Sequence, residues 1–583
     1  MRNSLICVLL ALLLSLTSQA ATTLRDMVFM PISPVTSYSY SHGYAENRIR
    51  ITNQSTERRV VRLVAPARTY SYNNGGIEHL ERTVIINPRT SIEVTLPCPS
   101  VSLAGNNKVN VFVHGVKWGT VPLPSKSSSP YYNSISCLTS RTVDAQALRD
   151  SADKTIRSMK VGYPGGTRKF YRSELEFPNW SRSWRAYSSY DSVILQNRDI
   201  SSIPPDLSET LRQYVAAGGT LTVLGSTKLP FGWMAPLIKG NNAYHQFSLG
   251  FGSVILISSG DPKKIDAKTL SQFVRTVKQT LNPWLQKSKV SLANKKLPVT
   301  NKVTLPVRGM FLIMLSFSIF IGPVTLIILA RKNRRIWFLW IAPLFSFVVC
   351  AIIATYSVLS EGVTPTVAGT SITLLNQGTH QSVTLGVLGI YCPLTPSGGL
   401  HFDRHAEITI LTRDSSSSSR KSINWTKDQN LSRGWASARV PAFFMIRKAE
   451  TRRERLEIIS KSGKRQVING LGATIKQLWL RDSSGKWFTI DKPLASGKKA
   501  KLTNIDNIRQ TSKYKNSLRD IYIADNWIDK FKEIPESRGS LLLPEMYLAV
   551  LDGGSFVSHG VRGKVHKKHT SYVIGSIPHV GDL

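Results

Sequence analysis

The run Thr220–Leu224 (TLTVL) ends in Gly225-Ser226-Thr227-Lys228. A strand running into a tight turn is where many acyl-transfer enzymes hold a nucleophile, with a histidine base beside it and a carboxylate behind. Between residues 127 and 288 there is a single histidine, His245, and a single cysteine, Cys137. Ser226 with His245 as base is therefore the nucleophilic pairing to test. The turn contains neither GxSxG nor GxCxG, and Cys137 lies in an apolar strand near the start of this segment, where a thiol is ordinarily packing. The competing reading is a crevice beyond the strand end, with Gly225, Ser226, Thr227 and Lys228 as candidates for holding a small ligand.

Metal chemistry has less to stand on. His401 and His405 flank Asp403, and His566 and His569 flank two lysines, but neither pair belongs to a ligand set such as HExxH. No metal ligand set and no cofactor motif is assigned. Anion binding has a better candidate in Arg447–Arg455 (RKAETRRER), where Arg447, Lys448, Arg452, Arg453 and Arg455 lie close in sequence, with Lys461, Lys464 and Arg465 following. Such a run is either a binding patch or a solvated charged face.

The formal net charge of +39 favours anionic partners: phospholipid headgroups, an acidic envelope polymer, or nucleic acid. Nucleic acid is set aside because residues 1–20 read as a signal peptide, with Arg2, the apolar run Leu5–Leu16 and a small-residue cleavage pattern at Ser18-Gln19-Ala20. Cys98, Cys137 and Cys392 would face outward, an odd number that cannot all pair internally; a Cys98–Cys137 bridge is left open.

The elements that must position these residues are arranged around 309–358. Gly309–Ala330 and Ile336–Val358 contain no Asp, Glu, Lys or Arg, and between them lies Arg331-Lys332-Asn333-Arg334-Arg335. About 20 apolar residues cross a bilayer core, and a short basic loop marks the cytoplasmic side. The expectation is a two-helix transmembrane hairpin over 309–330 and 336–358, turning at 331–335, with both flanking regions outside. Pro323 and Pro343 predict kinks at similar depth. With no ionisable residue in either span, the pair reads as an anchor and not as an ion pathway.

The outer regions divide by pattern. Residues 21–126 alternate apolar and polar positions in Tyr44–Asn53, Arg58–Val64, Ser91–Leu96 and Val109–Val113, which predicts an immunoglobulin-like β-sandwich. Residues 127–288 alternate strands and helices: Ser192–Leu195, then Asp206–Ala217 with Leu207, Leu211, Tyr214 and Val215 on one face, then Thr220–Leu224, Gly252–Ser258 and the helix Ala267–Leu285. That pattern predicts a parallel α/β sheet covered on both faces. Residues 289–308 read as a linker and 359–583 as a C-terminal, mostly-β domain.

Several runs carry a resemblance: Trp184–Leu195 (WRAYSSYDSVIL), Leu211–Gly225 (LRQYVAAGGTLTVLG), Gly250–Leu256, Gly322-Pro323-Val324-Thr325, Val467–Gly472 and Tyr547–Leu551. Together they resemble a bacterial envelope protein family with a periplasmic class I glutamine amidotransferase-like domain and a two-helix membrane hairpin. The resemblance implies a bacterial inner-membrane protein whose large domains face the periplasm, and it supplies no known activity. An active amidotransferase would need a nucleophilic cysteine on the elbow, and Ser226 stands near that place. The expected function is therefore a membrane-anchored periplasmic binding or scaffold protein with an inactive amidotransferase-like domain, its protein partners unspecified. The alternative is a membrane-tethered hydrolase or amidotransferase-like enzyme with an unrecognised site.

Overall fold

The computed structural model describes residues 21–33, 42–66, 77–99, 108–123, 135–158, 168–285, 289–300, 307–332, 335–362, 364–412, 421–461, 464–505 and 542–577. The signal peptide expected at 1–20 and the centre of the basic turn, Asn333 and Arg334, lie outside the described residues.

The first eight strands are β1 (Thr22–Leu24), β2 (Met27–Ile32), β3 (Tyr44–Asn53), β4 (Arg59–Pro66), β5 (Ile77–Ile86), β6 (Ser91–Pro99), β7 (Lys108–Val113) and β8 (Val116–Pro122). Strands β1, β2, β3 and β6 form one four-stranded sheet. The period-2 pattern holds along β7, whose Val109, Val111 and Val113 are buried in turn.

Next come β9 (Ile135–Thr139), helix α1 (Ala145–Ser158), β10 (Arg168–Arg172), β11 (Ser192–Gln196), α2 (Pro205–Ala216), β12 (Thr220–Leu224), β13 (Leu237–Gly240), β14 (Tyr244–Leu249), β15 (Gly252–Ile257), α3 (Ala267–Leu285) and α4 (Val290–Lys296). The sheet order is β10-β9-β11-β12-β15-β14-β13, parallel through β15 and antiparallel in the last two strands. Alternation divides its faces. Ile194, Leu224, Ile255 and Ile257 pack with Leu148 of α1 and Phe273 of α3. Val193, Leu195, Leu221, Val223 and Val254 join Leu207, Leu211 and Tyr214 of α2.

Three helical segments follow: α5 (Val307–Ile319), α6 (Thr325–Arg331) and α7 (Phe338–Glu361). A π-helical stretch, Phe320–Val324, joins α5 to α6 around Pro323. Proline has no N–H to donate, and beside it the Phe320 carbonyl accepts both the Thr325 N–H and, at 2.6 Å, the Thr325 hydroxyl. Phe317 and Phe345 stack at 6.2 Å between centroids.

The remaining strands are β16 (Thr366–Asn376), β17 (Gln381–Tyr391), β18 (Leu400–Phe402), β19 (Ala406–Ile410), β20 (Lys421–Asn424), β21 (Gln429–Arg433), β22 (Ala442–Thr451), β23 (Arg455–Lys461), β24 (Lys464–Gly470), β25 (Thr474–Arg481), β26 (Trp487–Thr489), β27 (Lys499–Lys501), β28 (Thr503–Ile505), β29 (Met546–Asp552) and β30 (His566–Ser576). Nine of them form the largest sheet, β19-β22-β17-β16-β30-β29-β25-β26-β28.

The fold class expected from the sequence is corrected by this architecture. The chain is mostly β, with 45% of it in strands distributed over several sheets. The N-terminal β-sandwich is not a self-contained immunoglobulin-like unit. Its β5 pairs in parallel with β20, so a seven-stranded sheet, β18-β21-β20-β5-β4-β7-β8, is built from both ends of the chain. A glutamine amidotransferase-like α/β domain is not shown either: the sheet is mixed, and its α2 face shares one core with Ile372, Leu385, Phe443 and Trp479 of the nine-stranded sheet. The expected two-helix transmembrane hairpin is corrected as well. Among the described residues, only Met314–Arg331 is a helix long and apolar enough to cross a membrane, and the apolar window of the next helix is the shorter Phe338–Ala351.

Candidate functional site

The turn after β12 is closed on itself. Gly225 takes a left-handed φ of 79°, and its N–H donates to the carbonyls of Ile257 (2.8 Å) and Ser259 (3.1 Å). The Ser226 hydroxyl donates to the Lys228 carbonyl at 2.9 Å and accepts from the Lys228 N–H at 3.3 Å. Thr227 and Lys228 are exposed. His245 sits on β14 opposite Leu256 of β15, which in turn lies opposite Val223 of β12. Ser226 and His245 are therefore separated by two strand spacings, about 10 Å, and by about 10 Å more along the strands. They do not form a nucleophile–base pair. Cys137 is fully buried, and burial, with Asp191 adding to it, pushes its thiol well above the usual range. The four described cysteines, Cys98, Cys137, Cys350 and Cys392, are free thiols, so Cys98 and Cys137 are not bridged.

The basic run is not an open patch. Arg447 on β22 gives Nε (3.0 Å) and Nη2 (2.6 and 2.7 Å) to the Glu407 carboxylate of β19, and lies over the Trp184 ring at 5.8 Å. Lys448 is buried between Asp403 (2.9 Å) and Glu450 (2.6 Å). Arg452 binds Glu450 and Glu454, both at 2.7 Å, and Arg455 reaches Glu457 at 3.7 Å. Arg453 is exposed. Most of the charge of this run is thus paired locally, between neighbouring strands of the nine-stranded sheet and along the run itself.

Where α2 and the β14–β15 turn meet the nine-stranded sheet lies a half-open cavity of about 260 Å³. Its walls come from Ala216 of α2, Leu249 and Gly250 at the β14–β15 turn, Leu374 of β16, Val383 of β17, Ala449 of β22, Met546 of β29 and Ile574 of β30. Gly250 is required there: its φ is 63°, and a Cβ would stand 2.7 Å from the Ala216 backbone. Polar groups gather on one side. Glu209 of α2 receives Arg212 Nε at 2.8 Å and the Gln381 side-chain amide. The Gln381 Oε1 is buried with no hydrogen-bond partner. Arg212 is charge-neutralised by Glu209, so what the cavity offers is mainly apolar surface. It lies at the end of the mixed sheet opposite Gly225–Lys228, since Ala216 precedes β12 and Leu249–Gly250 precede β15. The ligand-crevice candidates and the cavity are therefore different places.

The run Trp184–Asp191 forms the joint where the sheets meet. Arg185 is buried and lies over Trp425 (5.2 Å) and Tyr44 (5.8 Å), and burial pulls its guanidinium below the usual range. The Tyr44 hydroxyl accepts from the Ile408 N–H at 3.0 Å. Asp191 accepts from the Ser136 N–H at 2.7 Å and holds His42 Nε2 with its other oxygen. Pattern reading missed Glu209, Gln381 and Glu407, because each belongs to an ordinary amphipathic element and gains its role through residues at least 40 positions away.

No family model matches the chain, and no curated protein matches it. A solved structure of a Paenibacillus sp. cycloisomaltooligosaccharide glucanotransferase complexed with cycloisomaltoheptaose is similar over 34% of this chain. The match spans 45% of that chain, less than half its length, at 10% identity and a TM-score of 0.12. A likeness at that level carries no argument about fold or activity.

Proposed function

We propose that the chain is a membrane-anchored binding protein of the bacterial envelope whose small-molecule site is the cavity between α2 and the nine-stranded sheet. The observation that carries the binding reading is the mostly apolar pocket wall where α2 packs against the nine-stranded sheet, with Gln381 and Glu450 among its few polar members. The fitting ligand class is a compact, mainly apolar body small enough for about 260 Å³.

Membrane anchoring is supported by the apolar side chains that α5 to α7 leave exposed, including Phe311, Leu312, Met314, Ile327, Leu339, Trp340 and Phe347. A surface of that composition needs a lipid or protein cover. The enzymatic alternative gains no support from Ser226 and His245, which stand apart.

The test uses N-phenyl-1-naphthylamine, an apolar fluorophore with one N–H. Wild-type chain in lipid discs should give a saturable component above partitioning into the discs. Ala449→Phe, which fills the cavity, should remove that component and leave the partitioning. An unchanged saturable component in Ala449→Phe would refute the cavity as the site.

A further inference from the structure

The nine-stranded sheet has two unlike ends. The cavity occupies the end marked by Asn376, Gln381, Thr451 and Ser576. At the other end, Thr366 of β16 lies beside His566 of β30 and Tyr391 of β17, and Ile390 lies beside Ala442 of β22. The apolar helices attach here. From Gly362, the C-cap of α7, four residue steps lead to Thr366, at most about 14 Å of extended chain. On the entering side, Val299 packs beside Gly389 and Phe443, one row from Ile390, and α5 begins at Val307.

The loops at this end carry exposed cations. Arg562, Lys564, Lys567 and Lys568 are all exposed, and Lys567 and Lys568 pair in register with Val367 and Ala368. Successive strand residues point to opposite faces, so the two lysines flank the sheet end. Arg562 contacts the His401 ring, and among the described residues no carboxylate pairs with any of these four cations. Leu394 and Val440, 55% and 51% exposed, stand on the neighbouring loops, which are joined by the Cys392–Ala438 bridge. The contrast with Arg447–Arg455 decides between the two basic runs. That run occupies the cavity end, nine residues further along β22 from Ala442 to Thr451, about 30 Å away, and is largely neutralised by carboxylates.

We propose that the exposed cationic turn Arg562–Lys568, held beside the point where the apolar helices join the sheet, seats on the phosphate-bearing headgroups of an anionic lipid leaflet. This rests on the membrane-anchored reading above. Four cations that no carboxylate pairs with among the described residues, two exposed apolar side chains on neighbouring loops and a tether of four residue steps describe a face built to lie against a charged interface. Each cation near such a surface strengthens contact about fivefold, and the effect decays within a Debye length of about 10 Å at 0.1 M salt.

The experiment uses the full chain in discs of phosphatidylcholine alone or of phosphatidylcholine with phosphatidylglycerol, and reads amide hydrogen exchange over 562–569. Incorporation is scored first: a chain that enters neither disc overturns the membrane reading and this proposal together. With incorporation, exchange should slow about tenfold in the anionic discs, and the protection should vanish at 1 M salt. Lys564→Gln/Lys567→Gln/Lys568→Gln should lose the protection while exchange across β16 and β17 stays native. Equal exchange in both discs would overturn the headgroup contact and leave the anchoring intact. Protection produced in neutral discs by inorganic phosphate alone would also overturn it, by making the turn a site for a free anion.

Discussion

Arg447 and Glu407 form a two-point ion pair with a shortest contact of 2.6 Å, and their side chains are 4% and 1% exposed. Charges that far from water gain little net stability as a pair, but either one left alone is costly.

Glu407→Gln should therefore lower unfolding stability by about 3–5 kcal/mol, measured by urea denaturation followed through tryptophan fluorescence. The double variant Glu407→Leu/Arg447→Met should recover most of that loss. Equal losses in the single and double variants would mean that the pair acts through shape alone.

Gly250 offers a second test, because backbone strain and lack of space coincide there. Gly232 has a similar φ of 68°, but a methyl group added to it would meet nothing within 4 Å. Gly232→Ala should cost about 1–2 kcal/mol, the strain of the left-handed backbone. Gly250→Ala should cost about 3 kcal/mol or more, since overpacking against Ala216 adds to the strain. Urea midpoints compared at a common slope separate the two.

His569 gives the pH dependence. Burial, helped by His559, pulls its pKa from 6.5 down to about 4, and its Nε2 is hydrogen-bonded to the Ser371 hydroxyl at 3.0 Å. Between those two values the unfolded chain binds the proton and the folded chain does not. Its contribution is full above about pH 6.5 and is lost as pH falls toward 4, on the order of 3 kcal/mol. His569→Gln should flatten that part of the stability profile between pH 7 and pH 4.5. An unchanged slope would remove His569 as its source.

Cys350 reports on the helices. It is the exposed thiol on α7, whereas Cys98, Cys137 and Cys392 are buried. In lipid discs a charged maleimide should leave Cys350 unmodified while a membrane-permeant maleimide modifies it. Rapid labelling by both reagents would show α7 open to water.

Individual elements were readable because local periodicity is a local property. Leu207, Leu211, Tyr214 and Val215 mark α2, and Val193, Leu195, Leu221 and Val223 mark the buried strands on either side of it. Pairing was not readable. Nothing in Ile77–Ile86 identifies Lys421–Asn424 as its neighbour, so the alternation that suggested a self-contained sandwich was compatible with a sheet shared by both chain ends. The basic run failed for a related reason. Arg447 and Lys448 look solvated until β19 and its approach bring Glu407 and Asp403 alongside. The candidate site was the least legible part, because Gln381 becomes part of a cavity wall only once α2 presents Glu209 to its amide.

The β5–β20 pairing also imposes an order on biosynthesis. Glu81 and Asn424 meet side by side but are 343 residues apart in the chain. At about 5–20 residues per second, β5 waits about 17–70 s for its neighbour to be made. During that interval its unpaired edge is available to any other extended segment. The newly made N-terminal sheet is thus a natural client for a chaperone until the last third of the chain arrives.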